Sequence, residues 1–353
     1  MLAAQTTLQN AQKVKEYLIK HHLINQNFLV VKEFDFLYFP IVHPLGTKNR
    51  STTSKTFKIP SAIVLDTKFS FPPKHKNPTP EELLKNTLTQ QELTLLPKSQ
   101  EIVGTIMILE IPTELISKEK EIAEAYLKTT KNIKTVVKKE DIHTGEFRLR
   151  KVKVLAGQNT KETIHLESGI SLKLNLEKTY FSAKSGNERL RISSLVKPTE
   201  DVLIMFSGAA PFPLVIAKHA KPQSITAIEL NPEAHNYAVE NLHLNNMESK
   251  IHCILGDVNI VLPKLKKTYH RIVMPLPKTG EEFLPLALKT IIKGGWIHLY
   301  AFLNEKEFTF YKKRIKDICN KEKSSIRIQR LVKCGQFSPG TFRVCFDIKV
   351  LSK

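Results

Sequence analysis

The chain has 353 residues, 41% of them hydrophobic, and a mean hydropathy of −0.20, which suits a globular protein of two or three domains. It holds no apolar run of membrane-spanning length, and its opening residues lack a signal peptide's apolar core, so a cytoplasmic protein without membrane contact is expected. Lys+Arg 54 against Asp+Glu 34 leaves a net charge of +20, which points to a polyanionic partner, although a lysine-rich solvated surface reads alike. Cys253, Cys319, Cys334 and Cys345 show no metal-ligand spacing, so buried thiols and no metal site are expected.

In chain order, residues 9–22 carry Ala11, Val14 and Leu18 at helical spacing, and "NFLVVKEFDFLYFPIV" reads as two strands around a turn near Glu33–Asp35. A small α/β unit over 1–65 follows from these. Prolines at 72, 73, 78 and 80 mark a linker, and Thr79-Pro80-Glu81-Glu82 marks a helix start. Residues 66–176 then combine the strand "TIMILEI", the helix "SKEKEIAEAYLKTT" and the strands "NIKTVVKK", "EFRLRKVKVL", "ETIHLE" and "ISLKLNL". The last two join at Glu167-Ser168-Gly169. One helix among these strands implies a mostly antiparallel sheet covered on one side. The Lys and Arg in its strands suit an RNA-facing surface.

Residues 177–353 change pattern. "DVLIMF", "SITAIEL", "KIHCILG", "RIVMPL" and "GWIHLYAFL" are apolar strands separated by helical segments, as in a parallel sheet covered on both faces. Two further strands flank Ser338-Pro339-Gly340. A mostly parallel seven-stranded α/β sheet closed by an antiparallel hairpin is the Rossmann-like arrangement of class I methyltransferases.

Three features fall in order at strand ends. Gly208 follows the first strand in "FSGAAPFP". Glu229 ends the second, 21 residues on, where a carboxylate can accept from ribose hydroxyls, and Asn231 caps the next helix. Asp257 ends the third, where it can accept from an exocyclic amine. Together they indicate a nucleoside cofactor. A loop with one glycine suits a cofactor without phosphates, such as S-adenosylmethionine, better than a dinucleotide.

The segments "YFSAKSGNERLRISSLV", "MFSGAAPFPLVIA", "IELNPEAHNYAVENLHLN" and "MPLPKTGEEFLPLAL", with "IPTELISKEKEIAEAYLKTTKNIKTVVKK" and "GEFRLRKVKVLAG", resemble the archaeal–eukaryotic tRNA guanosine-37 N1-methyltransferase family. The likeness covers most of the chain and is weaker over 1–65. It implies a tRNA-sensing N-terminal domain, an RNA-binding middle domain and a C-terminal methyltransferase domain, acting as a monomer on the tRNA anticodon stem-loop and elbow. It implies Glu188 as general base and Arg148 as catalytic arginine, with Tyr180 and Phe181 near the cofactor. Phe206, Pro211, Leu230, Pro275 and Pro277 complete the expected cofactor wall. A free glutamate near about 4.3 needs its pKa raised by burial to take the guanine N1 proton. The same sequence also permits Glu188 as a surface carboxylate opening a helix, and Arg148 as a phosphate contact.

The chain departs from the family at Ile204, where an acid is usual, at Ala210, where a glycine is usual, and at Pro275, where an asparagine is usual. These changes imply a divergent archaeal branch. They leave two alternatives: a wyosine-pathway transferase on the same nucleoside, by C7-methylation of the tricyclic precursor or aminocarboxypropyl transfer, and a non-catalytic RNA-binding homologue.

Overall fold

The computed structural model describes residues 2–42, 59–66, 70–73, 78–140 and 149–353, which form two compact units, Met1–Pro78 and Thr79–Lys353. In the first, β1 (Leu2–Thr7) leads into α1 (Ala11–Lys20), followed by β2 (Val31–Glu33), β3 (Phe36–Pro40) and β4 (Ile63–Asp66). The sheet order is β2-β3-β1-β4, all antiparallel. Val14 and Leu18 sit one turn apart on α1 and bury against Ala4, Phe39 and Ile41. Strand β1 lacks a strand's usual composition: "LAAQTT" holds no aromatic or Ile/Val residue, and its place comes from pairing on both edges. Phe71 buries against Ala3 and Tyr38, so this core takes in residues beyond 65.

The second unit opens with α2 (Pro80–Leu84) and α3 (Gln90–Thr94). Each carries a reciprocal capping box, Thr79 with Glu82 and Thr89 with Glu92. Then come β5 (Glu101–Val103), β6 (Ile106–Leu109), α4 (Glu119–Thr129), β7 (Thr135–Lys139) and β8 (Val152–Gly157), in sheet order β5-β6-β7-β8. Strands β6 and β7 are parallel because α4 is the crossover between them. Met107, Leu109 and Val136 face Ile122 and Tyr126 of α4. Ile106, Ile108 and Val137 face the other way into a second apolar cluster, so the sheet is covered on both sides, not one. β9 (Glu162–Glu167) and β10 (Ile170–Asn175) form a separate hairpin, where a continuous sheet was expected. Its edge is paired by side chains of the helix that follows the second parallel strand. Asn241 accepts from the Lys173 amide at 2.6 Å and Asn245 from the Ser171 amide at 2.9 Å.

The rest alternates: α5 (Gly186–Leu195), β11 (Asp201–Met205), α6 (Pro211–His219), β12 (Ser224–Glu229), α7 (Pro232–Leu244), β13 (Ile251–Leu255), α8 (Val258–Leu265), β14 (Tyr269–Met274), α9 (Leu284–Thr290), β15 (Ile291–Asn304), α10 (Phe308–Lys321), β16 (Ser325–Ser338) and β17 (Thr341–Ser352). The seven-stranded order is β13-β12-β11-β14-β15-β17-β16, parallel through β15 and antiparallel at β17 and β16. Alternation along β11 explains its unbroken apolar run. Val202 and Ile204 enter the cluster under α5–α7, while Leu203 and Met205 enter the one under α8–α10. From β11 the order runs outward through β12 on one side and β14 on the other. That switch opens a crevice at the carboxyl ends of the strands.

Candidate functional site

Beyond β11 the backbone turns sharply into α6. Phe206, Gly208 and Ala210 have φ of 61°, 57° and 66°, the left-handed region. A non-glycine residue there costs on the order of 1–2 kcal/mol. Ala210 therefore keeps the backbone geometry that a glycine adopts freely, which is why a glycine loop survives this substitution as a shape. The Gly208 amide donates to Glu229 Oε2 at 2.6 Å and the Asn231 amide to Oε1 at 2.9 Å, which ties the end of β12 to the loop. Burial pushes the Glu229 carboxyl up, against the amides of Asn231, Gly208 and Leu230. A carboxylate has about four lone-pair sites, so acceptor capacity remains for hydroxyl donors. Asn231 caps α7 through Glu233 and donates its own amide to the Lys178 carbonyl at 3.0 Å.

These groups edge a cavity of about 350 Å³ at the carboxyl ends of β11, β12 and β14. Its walls include Tyr180, Phe181, Phe206, Gly208 and Pro211, then Glu229, Leu230, Asn231, Pro275 and Pro277, with Glu188 between them. The structure thus brings together eleven of the thirteen residues singled out from sequence. Phe206 meets Phe283 edge-on at 4.8 Å between centroids, an apolar wall for a flat ring. Size, a ribose-ready carboxylate and the absence of phosphate-cradling glycines among the wall residues fit a nucleoside such as that of S-adenosylmethionine. Two residues stand apart. Asp257 is absent from the cavity walls and instead caps α8, accepting from the Asn259 amide at 2.8 Å. Arg148 lies outside the described residues. A larger hollow of about 610 Å³ lies at the amino ends of β12–β14, the edge away from the ligand crevice, and holds none of the expected residues.

Glu188 sits in the first turn of α5 and is only 5% exposed, so it is no surface helix cap. Arg191, one turn on, grips it with two bonds of 2.7 Å, and the Tyr300 hydroxyl donates to Oε1 at 2.6 Å. Burial keeps the Tyr300 phenol protonated by pushing its pKa well up. Arg191 also reaches Asp347 at 2.8 Å, and Asp347 accepts from His298 Nδ1 at 2.7 Å. Arg271 donates to His298 Nε2 at 2.7 Å, which fixes the proton on Nδ1, and binds Glu200 at 2.7 Å. Burial alone raises Asp347, but the bonds from His298 and Arg191 hold its carboxyl well below the usual range. His298, Cys345 and Asp347 come close enough to ligate a metal ion, yet the two guanidiniums fill the positions around them.

Arg191 follows Glu188 by three residues and could have been read as its helix-face partner. Tyr300, Asp347, His298 and Arg343 stand on β15 and β17, and only the strand pairing brings them here.

Two family models match: the TRM5/TYW2 methyltransferase domain over residues 163–327 and the TYW2 N-terminal domain over 81–160. A Pyrococcus abyssi protein named tRNA (guanine(37)-N(1))-methyltransferase Trm5b is 32% identical over 99% of this chain and 99% of its own. A Pyrococcus horikoshii tRNA(Phe) (4-demethylwyosine(37)-C(7)) aminocarboxypropyltransferase is 32% identical over 77% of this chain and 96% of its own. The solved complex of aTrm5 with tRNALeu superposes with a TM-score of 0.68 at 28% identity, covering 99% of this chain and 100% of that one.

Proposed function

Because the chain belongs to the TRM5/TYW2 methyltransferase family, we propose that it transfers the methyl group of S-adenosylmethionine to N1 of guanosine 37 in tRNA. The observation that carries this reading is one cavity lined both by the Gly208 and Glu229 edge, suited to a nucleoside, and by a buried carboxylate, Glu188. When bound, the cofactor supplies an electrophilic methyl carbon whose bond to sulfur breaks as N1 attaches.

Glu229 anchors the ribose, and Phe206 with Phe283 flanks the adenine. Glu188 takes the N1 proton on a carboxylate held in place by Arg191 and Tyr300. Arg191, fixed by Asp347, and Tyr300 set the direction of that carboxylate, so little reorganisation accompanies proton transfer. Arg148, from the "GEFR" segment, would neutralise charge on the base. The basic strands of residues 66–176 would hold the anticodon stem-loop, and residues 1–65 would sense the elbow, with 177–353 as the methyltransferase part.

The second reading is aminocarboxypropyl transfer, favoured by the TYW2 N-terminal match and by Pro275 in place of a side-chain donor. Incubation of the protein with unmodified tRNA transcript and S-adenosylmethionine, followed by nucleoside mass spectrometry, separates the two. One methyl on guanosine at position 37 supports the first reading; no change on plain transcript, with an aminocarboxypropyl adduct on tRNA bearing the tricyclic precursor, supports the second.

A further inference from the structure

The hollow of about 610 Å³ at the amino ends of β12–β14 has a buried floor and a basic rim. Ile225, Ile251 and Tyr269, one from each strand, are buried beneath it, and Leu265 closes the α8 side. Lys221, Lys250 and Lys267 stand around it. Lys267 is neutralised by Asp201 at 2.9 Å and donates to the Ser224 hydroxyl at 2.8 Å. Glu248, the one carboxylate among the described wall residues, is taken by His243 at 2.6 Å. Lys221 and Lys250 meet no carboxylate among the described residues, so the rim carries uncompensated positive charge.

A polar atom below the rim also lacks a partner. The Tyr269 hydroxyl is fully buried, and Thr226 lies beside it without closing a hydrogen bond of normal geometry. Burial raises its pKa, so the hydroxyl keeps its proton and remains a donor. A buried hydroxyl without a bond costs free energy, and folded proteins leave such a group only for a reason, such as a water or a ligand that completes it. Tyr269 lines the hollow, with Lys267 Nζ 5.6 Å from its ring centroid.

Size and place narrow the occupant. The volume falls in the range of small-molecule sites, about 300–1,000 Å³, and an inorganic ion would leave most of it unfilled. Lysines act on phosphate as point charges, and the apolar floor suits an organic body. An RNA backbone fits less well. Ser224 on this hollow and Glu229 on the nucleoside edge end the same strand, about 17 Å apart at about 3.3 Å per residue. A tRNA presenting its base to the nucleoside cavity approaches from that other edge of the sheet. We propose that the hollow is a second ligand site, which takes a small organic phosphate of nucleotide size. Lys221 and Lys250 hold the phosphate, and the Tyr269 hydroxyl donates to an oxygen of the ligand. This site is independent of the methylation reading.

The test is isothermal titration of uridine monophosphate into the full-length protein saturated with S-adenosylhomocysteine, so that the nucleoside cavity is filled. Inorganic phosphate and uridine are the comparison probes. The expected result is a dissociation constant below about 1 mM for the nucleotide, weaker binding of phosphate and none of uridine. Lys221→Ala combined with Lys250→Ala is expected to weaken the nucleotide about tenfold or more, and Tyr269→Phe about threefold or more. Both lysines are exposed and Tyr269→Phe removes only an unbonded oxygen, so these variants are expected to fold. No binding up to about 10 mM, or binding that S-adenosylhomocysteine abolishes, overturns the proposal. So does an affinity that either the lysine variant or Tyr269→Phe leaves unchanged, because a merely structural tyrosine does not move it. Equal affinity for phosphate and nucleotide reduces the hollow to an anion contact at surface lysines and overturns the proposal as well. Displacement of the nucleotide by tRNA, with tRNA affinity lowered in the lysine variant, assigns the hollow to RNA and overturns it too. A wild-type protein that leaves no methyl on guanosine 37 counts against the functional reading alone, since this titration does not depend on methyl transfer.

Discussion

We propose Glu229 as the residue whose removal separates cofactor binding from chemistry. It faces the cavity with both oxygens oriented by backbone amides. Glu229→Ala is expected to weaken S-adenosylmethionine by tenfold or more, since a charged hydrogen bond is worth about 1.5–3 kcal/mol, and isothermal titration reads this directly. Asp347 acts at one remove. Asp347→Asn leaves Arg191 and His298 without their buried anion, so stability is expected to fall by about 3 kcal/mol in urea denaturation, because breaking a buried pair strands its partner. An unchanged midpoint would show that the chain of charges from Glu200 to Glu188 is ornamental. At this scale the sequence was informative where function needs a local pattern: Gly208, Glu229 and Asn231 fall at strand and helix ends that periodicity locates. It was silent on Tyr300 and Asp347, because a tyrosine and an aspartate in apolar strands carry no mark of the helix residue they meet. Asp257 reads two ways, since a strand-end carboxylate is equally a helix cap, and the fold places it as the cap of α8.

Among the elements, the approach of the β9–β10 hairpin to the β5–β6 turn depends on a glycine. A Cβ on Gly104 would stand 2.3 Å from Thr163 Oγ1 and 2.4 Å from the Ile164 carbonyl oxygen, at φ of 56°. Gly104→Ala must therefore shift backbone as well as strain it, and a thermal melt is expected to drop by several degrees. Ala210 gives the complementary case. Ala210→Gly is expected to stay within about 1 kcal/mol of the parent, whereas Ala210→Val, β-branched at φ of 66°, is expected to lose more than about 2 kcal/mol. Most elements were legible because short apolar runs mark the strands from β11 to β15 and a 3.6-residue period marks α4. Strand β1 was not, because small and polar residues hide a strand whose stability comes from two partners. The separate β9–β10 hairpin was not, because nothing local in its sequence tells side-chain pairing with α7 from another ladder of the same sheet.

For the molecule as a whole, charge and acid response follow from the same groups. With a net charge of +20, tRNA affinity is expected to fall steeply with salt, and a flat log–log plot would contradict a phosphate-dominated interface. Acid stability has a defined sign. Burial first, against the bond that His298 donates to Asp347, holds the folded His298 below its ordinary value of 6.5, so stability declines as pH falls below that value. Glu167, despite burial, is held to about 2 by Arg189 and His165, and Asp347 is depressed likewise. Their contributions are present above the unfolded carboxylate range and are lost as pH drops toward the folded values, so unfolding midpoints should fall gently below pH 6.5 and steeply below about 4. The central claim, that one cavity methylates guanosine 37 with Glu188 as base, is tested most directly by single-turnover methylation of intact tRNA by Glu188→Gln beside the wild type. The predicted result is a rate lower by about 10²–10⁴-fold, with tRNA and cofactor affinities nearly unchanged. A Glu188→Gln rate within about threefold of wild type, well short of a general base's share, would contradict it.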